Sequence, residues 1–172
     1  MASQLPIMIT PEGHAAVCEE MRWLWRVERP RVTSEVEAAA ALGDRSENAE
    51  YQYGKRRLRE IDGRMRHLSK RLDRMRVMTA QHQAAAGDIV GFGAYVRVEN
   101  EGGEQTIYRL VGPDEFDPDA GFISVESPVA RALLGKEVGD VVEVQRPKGL
   151  AELEIIALRY GGPPPSQHES QH

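Results

Sequence analysis

Residues 41–51 read ALGDRSENAEY and form a sharp polar break between two long helical patterns. Acidic and amide side chains dominate this break, and almost nothing in it is apolar enough to be buried. Gly43 favours the end of a helix, because glycine adopts the left-handed backbone conformation without steric cost. The sequence therefore predicts that the chain reverses here and that residues 41–51 are the exposed tip of a helical hairpin.

The pattern before the tip predicts a helix that begins after Thr10 and ends at Gly43. Thr10 can cap a helix, and Pro11 suits the first helical position. Pro30 should kink the helix or break it briefly, because proline lacks the backbone donor and clashes with the preceding turn. The apolar residues change facing accordingly, from Val17, Met21 and Leu24 before Pro30 to Val32, Val36, Ala39 and Ala40 after it.

The pattern after the tip is a helix with an apolar residue every three or four positions, at Leu58, Ile61, Met65, Leu68, Leu72 and Met75. These are nearly three heptads with apolar a and d positions, and such a seam must be buried. The preceding helix is the nearest partner, so the sequence predicts an antiparallel α-helical coiled-coil hairpin. At ~1.5 Å per residue the arm would be on the order of 45 Å long. One flank should carry Arg57, Arg64 and Arg71, which lie seven residues apart.

From Ile89 onward the apolar period changes to two, which is typical of strands. We predict a first strand with Phe92, Ala94, Val96 and Val98, and four more over residues 106–111, 122–125, 138–144 and 153–158. A short helix over residues 129–134 should follow Pro128 and end at Gly135. The predicted fold class is α+β, with the hairpin in residues 1–80 and a mostly antiparallel β domain in residues 81–160.

Two further segments lie outside these patterns. Residues 79–88 lose the heptad and are predicted to be a linker, and residues 161–172 are a Pro-, Gln- and Ser-rich tail that we expect to be disordered. Charge also differs along the chain: residues 55–76 contain ten Lys/Arg and three acidic residues, whereas residues 87–160 contain fourteen acidic residues and seven Lys/Arg. This asymmetry indicates two modules with different partners, or simply two solvated surfaces.

Several classes of protein are disfavoured by the composition. There is no signal-peptide pattern and no apolar run of roughly 20 residues, so we expect a cytoplasmic protein that does not contact membranes. The single cysteine, Cys18, cannot form an internal disulfide and fits a reducing compartment. No metal-ligand spacing links the five histidines, and no nucleophile or phosphate-binding glycine loop is present. The chain is therefore not expected to be an enzyme by itself.

Only the tip clusters oxygen ligands. Asp44 and Glu47 are three residues apart, so both carboxylates would face the same way if Asp44 starts the second helix, and Glu50 would continue that face. The same spacing fits a capping box, in which Asp44 caps the helix and Glu47 reaches back. Two or three carboxylates bind Mg²⁺ poorly alone, but they can complete the shell of an ion held partly by another protein. The rest of the loop is also polar, at Arg45, Ser46 and Asn48.

Three long motifs resemble the bacterial Gre factors, the transcript cleavage factors of RNA polymerase, and fit the GreB branch better than the GreA branch. They are WRVERP at 25–30, LGDRSENAEYQY at 42–53 followed by KRRLREID at 55–62, and ISVESPVARALLGKEVGD at 123–140. The resemblance runs from about Ile9 to Tyr160. It implies an N-terminal coiled-coil arm and an FKBP-like C-terminal domain that docks at the mouth of the polymerase secondary channel.

In this family the arm enters the channel and its tip reaches the polymerase active site. The resemblance implies that Asp44 and Glu47 help to hold a second Mg²⁺, jointly with the polymerase, and position the attacking water, with Ser46, Asn48 and Glu50 supporting the tip. The polymerase then cleaves backtracked RNA and regains a usable 3′ end. We expect the nascent RNA 3′ segment to contact a basic patch, with Arg56, Arg57, Arg59 and Arg64 as candidates.

The third motif should form much of the surface that docks on the polymerase, with Ser127, Pro128 and Arg131 as candidates. Ser127 and Pro128 fit equally well a purely structural role in the turn before the short helix. We expect the chain to act as a monomer.

Three functions remain to be compared. Relatives without the tip carboxylates inhibit the polymerase, whereas this chain keeps both, so we expect it to activate RNA cleavage by the polymerase. The alternative is a channel-binding regulator that does not stimulate cleavage. The FKBP-like fold also suggests a peptidyl-prolyl isomerase, but fold alone does not license that activity. The aromatic residues that a proline pocket would need are scattered, at Phe92, Tyr95, Tyr108, Phe116, Phe122 and Tyr160.

Overall fold

The fold combines a helical N-terminal region with a β-sheet domain, as the predicted α+β class requires. A computed structural model describes residues 4–79, 82 and 87–162. The chain divides into a helical unit, which contains His14–Met75, and a sheet unit, which contains Pro6–Gly13 and the described residues from Arg76 onward. The predicted boundary at residues 80 and 81, most of the predicted linker and the predicted tail from residue 163 lie outside the described residues.

One helical run leads to the tip. It consists of α1 (Pro11–Trp23), a π-helical turn (Leu24–Glu28) and α2 (Arg29–Ala40). The predicted cap at Thr10 is confirmed, because its hydroxyl oxygen accepts a hydrogen bond of 3.1 Å from the amide of Gly13. The predicted end at Gly43 is wrong, since α2 stops at Ala40 and Gly43 lies in the following loop with φ at 121°.

Pro30 does not break this run. The chain instead widens into the π-helical turn just before it, where the amide of Arg29 bonds to the carbonyl of Leu24, five residues back. Pro30 has no amide hydrogen to offer the carbonyl four residues earlier, so a wider turn is one way to keep the chain helical at this point. Leu24 and Glu28 face inward there, at 4% and 6% exposure.

The second helix, α3 (Ala49–Arg74), runs antiparallel to the first run. Residues later in α3 contact residues earlier in the first run: Gly54 lies against Val36, and Arg64 pairs with Glu20. The buried seam contains Leu24, Val32, Ile61 and Leu68, flanked by the partly buried Val17, Met21, Val36, Leu58 and Met65. The predicted apolar seam is therefore confirmed from Leu58 to Leu68. Leu72 is only half-buried and lies outside this cluster, and Met75 leaves the helix and begins a strand.

The larger sheet of the sheet unit has five strands, which are β3 (Tyr95–Asn100), β4 (Gln105–Val111), β5 (Phe122–Ser124), β6 (Val141–Arg146) and β7 (Gly149–Arg159). They lie side by side in the order β5–β4–β3–β7–β6. All neighbours are antiparallel except β4 and β5, which pair in parallel. A short helix, α4 (Pro128–Leu133), packs on the sheet through Ala130 and Leu133, which are fully buried.

The sheet departs from the sequence prediction in three places. The first strand begins at Tyr95 and not at Ile89, although Val90 and Ala94 are already buried. Val138 is 52% exposed and lies before β6, which begins only at Val141. The last strand is longer than predicted. A two-stranded sheet of β1 (Ile7–Ile9) and β2 (Met75–Val77) was not predicted.

None of the helices in the described part of the chain is long and apolar enough to cross a membrane.

Candidate functional site

The tip is an irregular loop of residues 41–48 between α2 and α3. Helix α3 begins at Ala49, and its cap is Asn48, whose side-chain oxygen accepts a hydrogen bond of 3.1 Å from the amide of Tyr51. The predicted capping box of Asp44 and Glu47 is therefore wrong. So is the expectation that both carboxylates share a face of the second helix, because neither residue is helical. Asparagine is as good a cap as aspartate, and Asn48 takes the position nearer to the helix.

Asp44 closes the loop upon itself. Its Oδ1 accepts hydrogen bonds from the amide of Ser46 at 3.0 Å and from the Ser46 hydroxyl at 2.7 Å. These bonds from Ser46 stabilise the ionised form and hold the pKa of Asp44 below its ordinary value, although the side chain is fully exposed. Glu47 is exposed too, and no ion pair joins either carboxylate to a cation within the described ranges.

Side chains from both sides fix the shape of this loop. Asn48 donates a second hydrogen bond, from Nδ2 to the carbonyl of Ala39 at 2.8 Å, and so ties the start of α3 to the end of α2. Gln52 donates from Nε2 to the carbonyl of Arg45 at 3.0 Å. Of the predicted supporting residues, Ser46 and Asn48 bond within the loop, whereas Glu50 is exposed in the first turn of α3. The sequence pattern alone does not indicate the role of Gln52.

Aromatic contacts add to this arrangement. The guanidinium carbon of Arg45 lies 5.7 Å from the centre of the Tyr51 ring, and Nζ of Lys55 lies 6.0 Å from the same centre. Both distances fall within the range of about 6 Å over which a cation is attracted to a ring face. The contact of Tyr51 with Arg45 is not predicted from the sequence, whereas the spacing of four residues to Lys55 is that of neighbours on one helix face.

The donor set of the tip suits a hard cation only in part. Among the described residues, no group of three or more His, Cys, Asp or Glu side chains could hold a metal ion. Mg²⁺ prefers oxygen ligands and needs about six of them in octahedral geometry. Asp44 and Glu47 provide the right kind of oxygen but too few, so they fit a shared ion and not a site within this chain.

The four candidates for the basic patch fall into two pairs. Arg57 lies 3.4 Å from the buried carboxylate of Glu28, and Arg64 is bonded to Glu20 at 2.7 Å, so these two join α3 to the other helical run. Arg56 and Arg59 are exposed and have no ion-pair partner among the residues that the structure describes.

The candidate docking residues lie at the start of α4. Ser127 caps this helix, because its hydroxyl oxygen accepts a hydrogen bond of 3.3 Å from the amide of Ala130. Pro128 occupies the first helical position, where its missing amide hydrogen costs nothing. Arg131 is exposed. The structure thus gives Ser127 and Pro128 a structural role, and their role in docking stays a prediction.

Comparison with known proteins covers both units. Residues 7–77 match the family described as "Transcription elongation factor, N-terminal", and residues 84–160 match "Transcription elongation factor, GreA/GreB, C-term". The chain is 57% identical to transcription elongation factor GreB of Yersinia pestis over 152 residues, 88% of each chain. It is 55% identical to GreB of Haemophilus ducreyi over 152 residues, which cover 88% of this chain and 93% of the relative. A solved structure, GreA factor homolog 1 of Thermus thermophilus, is 25% identical, with a TM-score of 0.40 over 90% of this chain and 99% of that chain.

Proposed function

Since the chain belongs to the GreA/GreB family of transcription elongation factors and is GreB-like, we propose that it acts on bacterial RNA polymerase. The tip of its helical hairpin enters the secondary channel and stimulates Mg²⁺-dependent endonucleolytic cleavage of backtracked nascent RNA. Arrested elongation complexes are thereby rescued. The chain is not an enzyme by itself in this proposal, because the reaction takes place in the active site of the polymerase.

The observation that carries this proposal is the state of Asp44 and Glu47. Both carboxylates are exposed on an irregular loop at the turn between two long helices, and no described cation neutralises them. Hydrogen bonds from Ser46 lower the pKa of Asp44, so this carboxylate is ionised at neutral pH. Exposed, charged and unpaired oxygen ligands are what a shared metal site needs from its second protein.

Finer features of the fold support the same proposal. The apolar seam of α3 follows a heptad, and we propose that the hairpin is a coiled coil formed by residues 1–80. We propose that residues 81–160 form an FKBP-like domain that docks on the polymerase through the start of α4. The exposed Arg131 there, beside Ser127 and Pro128, is available to a partner.

Within the shared site, Asp44 and Glu47 would supply two carboxylates to Mg²⁺, and the polymerase would supply the remaining ligands. When bound there, Mg²⁺ would lower the pKa of a water molecule and favour an in-line phosphoryl displacement. The residues of this chain act before that step. Ser46 orients the carboxylate of Asp44 through its hydrogen bonds and lowers the pKa of that carboxyl, and Asn48 fixes the loop on both helices.

The RNA 3′ segment would lie along the basic patch of α3. Arg56 and Arg59 are the better-placed members, because they are exposed and have no ion-pair partner among the described residues. Arg57 and Arg64 would have to exchange their bonds to Glu28 and Glu20 for phosphate contacts. Phosphate contacts of this kind weaken as the salt concentration rises.

One assay tests the proposal. The protein is added to a backtracked elongation complex with Mg²⁺, and we expect a shortened transcript that the polymerase then extends. Asp44→Asn and Glu47→Gln should each slow cleavage by roughly a hundredfold, as expected for the loss of one electrostatic contact to a transition state. Both variants should still bind the polymerase, because they change the tip alone.

Glu19→Gln is the matched control, since Glu19 is an exposed carboxylate on α1 away from the tip. It should cleave like the unaltered protein. Full cleavage by the double variant Asp44→Asn, Glu47→Gln would contradict the assigned role of the tip. Binding to the polymerase without any cleavage by the unaltered protein would instead support the alternative, a channel-binding regulator.

A further inference from the structure

We propose that Tyr51 is a positioning residue of the tip, whose ring holds the guanidinium of Arg45 and so prevents this cation from pairing with Asp44 and Glu47. The inference rests on the proposed function, in which both carboxylates must be free for a divalent cation. It assigns a role to a residue outside the acidic pair and explains how a positive charge can sit between two metal ligands.

Arg45 lies between the two tip carboxylates in the sequence and could neutralise them. Arg45 follows Asp44 directly and precedes Glu47 by two residues, so a flexible guanidinium is tethered within reach of both carboxylates. Arginine and carboxylate groups form strong, charge-assisted hydrogen bonds when they meet. Such a pair would occupy carboxylate oxygens and cancel the negative charge that attracts a divalent cation. An arginine at this position therefore needs a competing partner.

The structure provides that partner. The guanidinium carbon of Arg45 lies 5.7 Å from the centre of the Tyr51 ring, and Arg45 has no ion pair with Asp44 or Glu47 within the described residues. The backbone is held on the same side, because the carbonyl of Arg45 accepts the hydrogen bond from Gln52. Tyr51 is itself anchored, since its amide donates to the cap Asn48 and its side chain is half-buried.

One carboxylate oxygen of the tip already has hydrogen-bond donors. Oδ1 of Asp44 is occupied by the amide and the hydroxyl of Ser46, which carry no net charge. Neutral donors thus shape the loop, while the one cation within it is drawn to the ring. A ring face attracts a cation without an opposing charge of its own, so the tip keeps the full charge of both acids.

Lys55 provides an internal comparison. Its Nζ lies 6.0 Å from the same ring, one turn further along α3 and away from the tip loop. Lys55 therefore shares the ring with Arg45 but is not adjacent to the acids in sequence. Its removal should leave the carboxylates as they are, which makes Lys55→Gln the matched control for the loss of a cation from this ring.

The first test uses the isolated chain and Mn²⁺, which replaces Mg²⁺ and broadens nearby NMR signals. Because the isolated tip supplies only two carboxylates, binding is weak and the titration extends to high Mn²⁺. We expect the amide signals of residues 46–48 to broaden at the same Mn²⁺ concentration in the unaltered protein, in Tyr51→Phe and in Lys55→Gln. Tyr51→Leu removes the ring face and should need roughly two- to fivefold more Mn²⁺, the size of an exposed cation–π contact. The double variant Tyr51→Leu, Arg45→Gln should return to the original Mn²⁺ dependence, because the competing cation is gone.

The second test measures the Mg²⁺ dependence of RNA cleavage in backtracked elongation complexes. Tyr51→Leu should raise the Mg²⁺ concentration at half-maximal cleavage by a similar factor and should keep the cleavage rate at saturating Mg²⁺. Adding Arg45→Gln should reverse the shift. A ring that served only to support the loop would not be rescued in this way, because removing Arg45 cannot restore lost packing.

The two tests distinguish the role of Tyr51 from the proposed stimulation of RNA cleavage. An unshifted Mn²⁺ dependence in Tyr51→Leu, or a shift that Arg45→Gln leaves in place, would overturn the role of Tyr51. If the Mn²⁺ dependence is as expected but the unaltered protein does not stimulate cleavage, the role of Tyr51 at the tip is supported and the proposed function is wrong.

Discussion

Ser46 controls the charge of Asp44 through two hydrogen bonds to one carboxylate oxygen. Both bonds favour the ionised form and lower the pKa of Asp44 in the folded chain. Because the folded pKa lies below the unfolded one, this interaction is present above the ordinary aspartate pKa and is lost as the pH falls through the lowered value. Asp44 therefore keeps its charge to a lower pH than an ordinary aspartate does.

Replacing Ser46 by alanine tests this link. The hydroxyl bond of 2.7 Å disappears in Ser46→Ala, so the pKa of Asp44 should rise toward its ordinary value, and cleavage should be lost at a higher pH than in the unaltered protein. The carboxyl signal of Asp44, followed by NMR over a pH titration, measures the first effect. Ser69→Ala on the exposed surface of α3 is the control. An unchanged titration of Asp44 in Ser46→Ala would exclude the hydroxyl as the cause.

Gly54 and Gly63 both lie inside α3, but only Gly54 is buried against the other helix. A Cβ at Gly54 would come within 2.5 Å of a methyl group of Val36, whereas a Cβ at Gly63 would meet only the end of the Arg66 side chain, at 3.9 Å. Valine is stiff at χ1 and cannot easily turn its methyl group away. Glycine at position 54 thus lets the two helices approach closely.

We expect opposite effects of alanine at these two glycines. Gly54→Ala should lower the free energy of unfolding by about 1–3 kcal/mol, the usual cost of overpacking. Gly63→Ala should raise it by about 1 kcal/mol, because alanine has the higher helix propensity. Urea denaturation of the two variants measures both changes. Stabilisation by Gly54→Ala would mean that the helices separate without cost at this point.

At the scale of elements, ion pairs link the two helical runs along one flank. Glu28 takes part in two ion pairs. Its buried carboxylate accepts bonds from Arg31 in the same run at 2.8 Å and from Arg57 on α3 at 3.4 Å. The bond from Arg31 is the first cause of the lowered pKa of Glu28. Glu28 ends the π-helical turn and faces inward with Leu24, whereas Trp25 and Val27 between them are exposed.

Glu28→Gln should therefore destabilise the hairpin. We expect a loss of about 1–2 kcal/mol near neutral pH, below the usual value for a buried pair because both arginines are partly solvated. The folded pKa of Glu28 is lowered, so its contribution is present above the ordinary glutamate pKa and lost as the pH falls through the lowered value. Urea denaturation at neutral and acidic pH should show the deficit at neutral pH only.

Asp62→Asn is the control for this prediction. Asp62 pairs with Arg29 across the same two helical runs, but both side chains are 37% exposed. An exposed pair contributes less than about 1 kcal/mol. Equal losses in Asp62→Asn and Glu28→Gln would show that burial adds nothing to the pair of Glu28.

At the scale of the whole molecule, hydrogen bonds to Glu115 join residues of the sheet unit that are far apart in sequence. Glu115 accepts hydrogen bonds from the amide of Thr10 at 3.1 Å and from the amide of Gly112 at 2.9 Å, and also from the hydroxyl of Thr10. Gly112 must be glycine for this arrangement, because a Cβ there would lie 2.0 Å from the carbonyl oxygen of Met8. Thr10 at the start of α1 is thereby bonded to the loop after β4.

Glu115→Ala should remove these hydrogen bonds and loosen the backbone at Thr10 and Gly112. Hydrogen bonds to a charged group contribute about 1.5–3 kcal/mol, so the amides of Thr10 and Gly112 should exchange with solvent deuterium roughly tenfold faster or more. Asp119→Ala is the control, since Asp119 is an exposed carboxylate in the same loop. If both amides exchange with deuterium as slowly in Glu115→Ala as in the unaltered protein, Glu115 does not hold this part of the chain.

Periodicity made the two units predictable. The spacing of three and four from Leu58 to Leu68 and the spacing of two from Ala94 to Val98 depend only on neighbours along the chain, and all of these residues are at least partly buried. Element ends were less predictable. Asn48 and Asp44 are equally good caps in sequence, and only the carbonyl of Ala39, nine residues earlier, makes Asn48 bond to both helices.

The sequence by itself determined the fold class, the apolar seam, the polar tip and the resemblance to the Gre factors, because periodicity and long motifs are properties of consecutive residues. Only the tertiary structure decided which arginines are bound to glutamates, how Asp44 is hydrogen-bonded and where Arg45 lies. These depend on partners that chain reversal brings within a few ångströms, such as Glu28 beside Arg57 and Tyr51 beside Arg45. Pairing at this range is set by distance and orientation, which spacing along the chain does not encode.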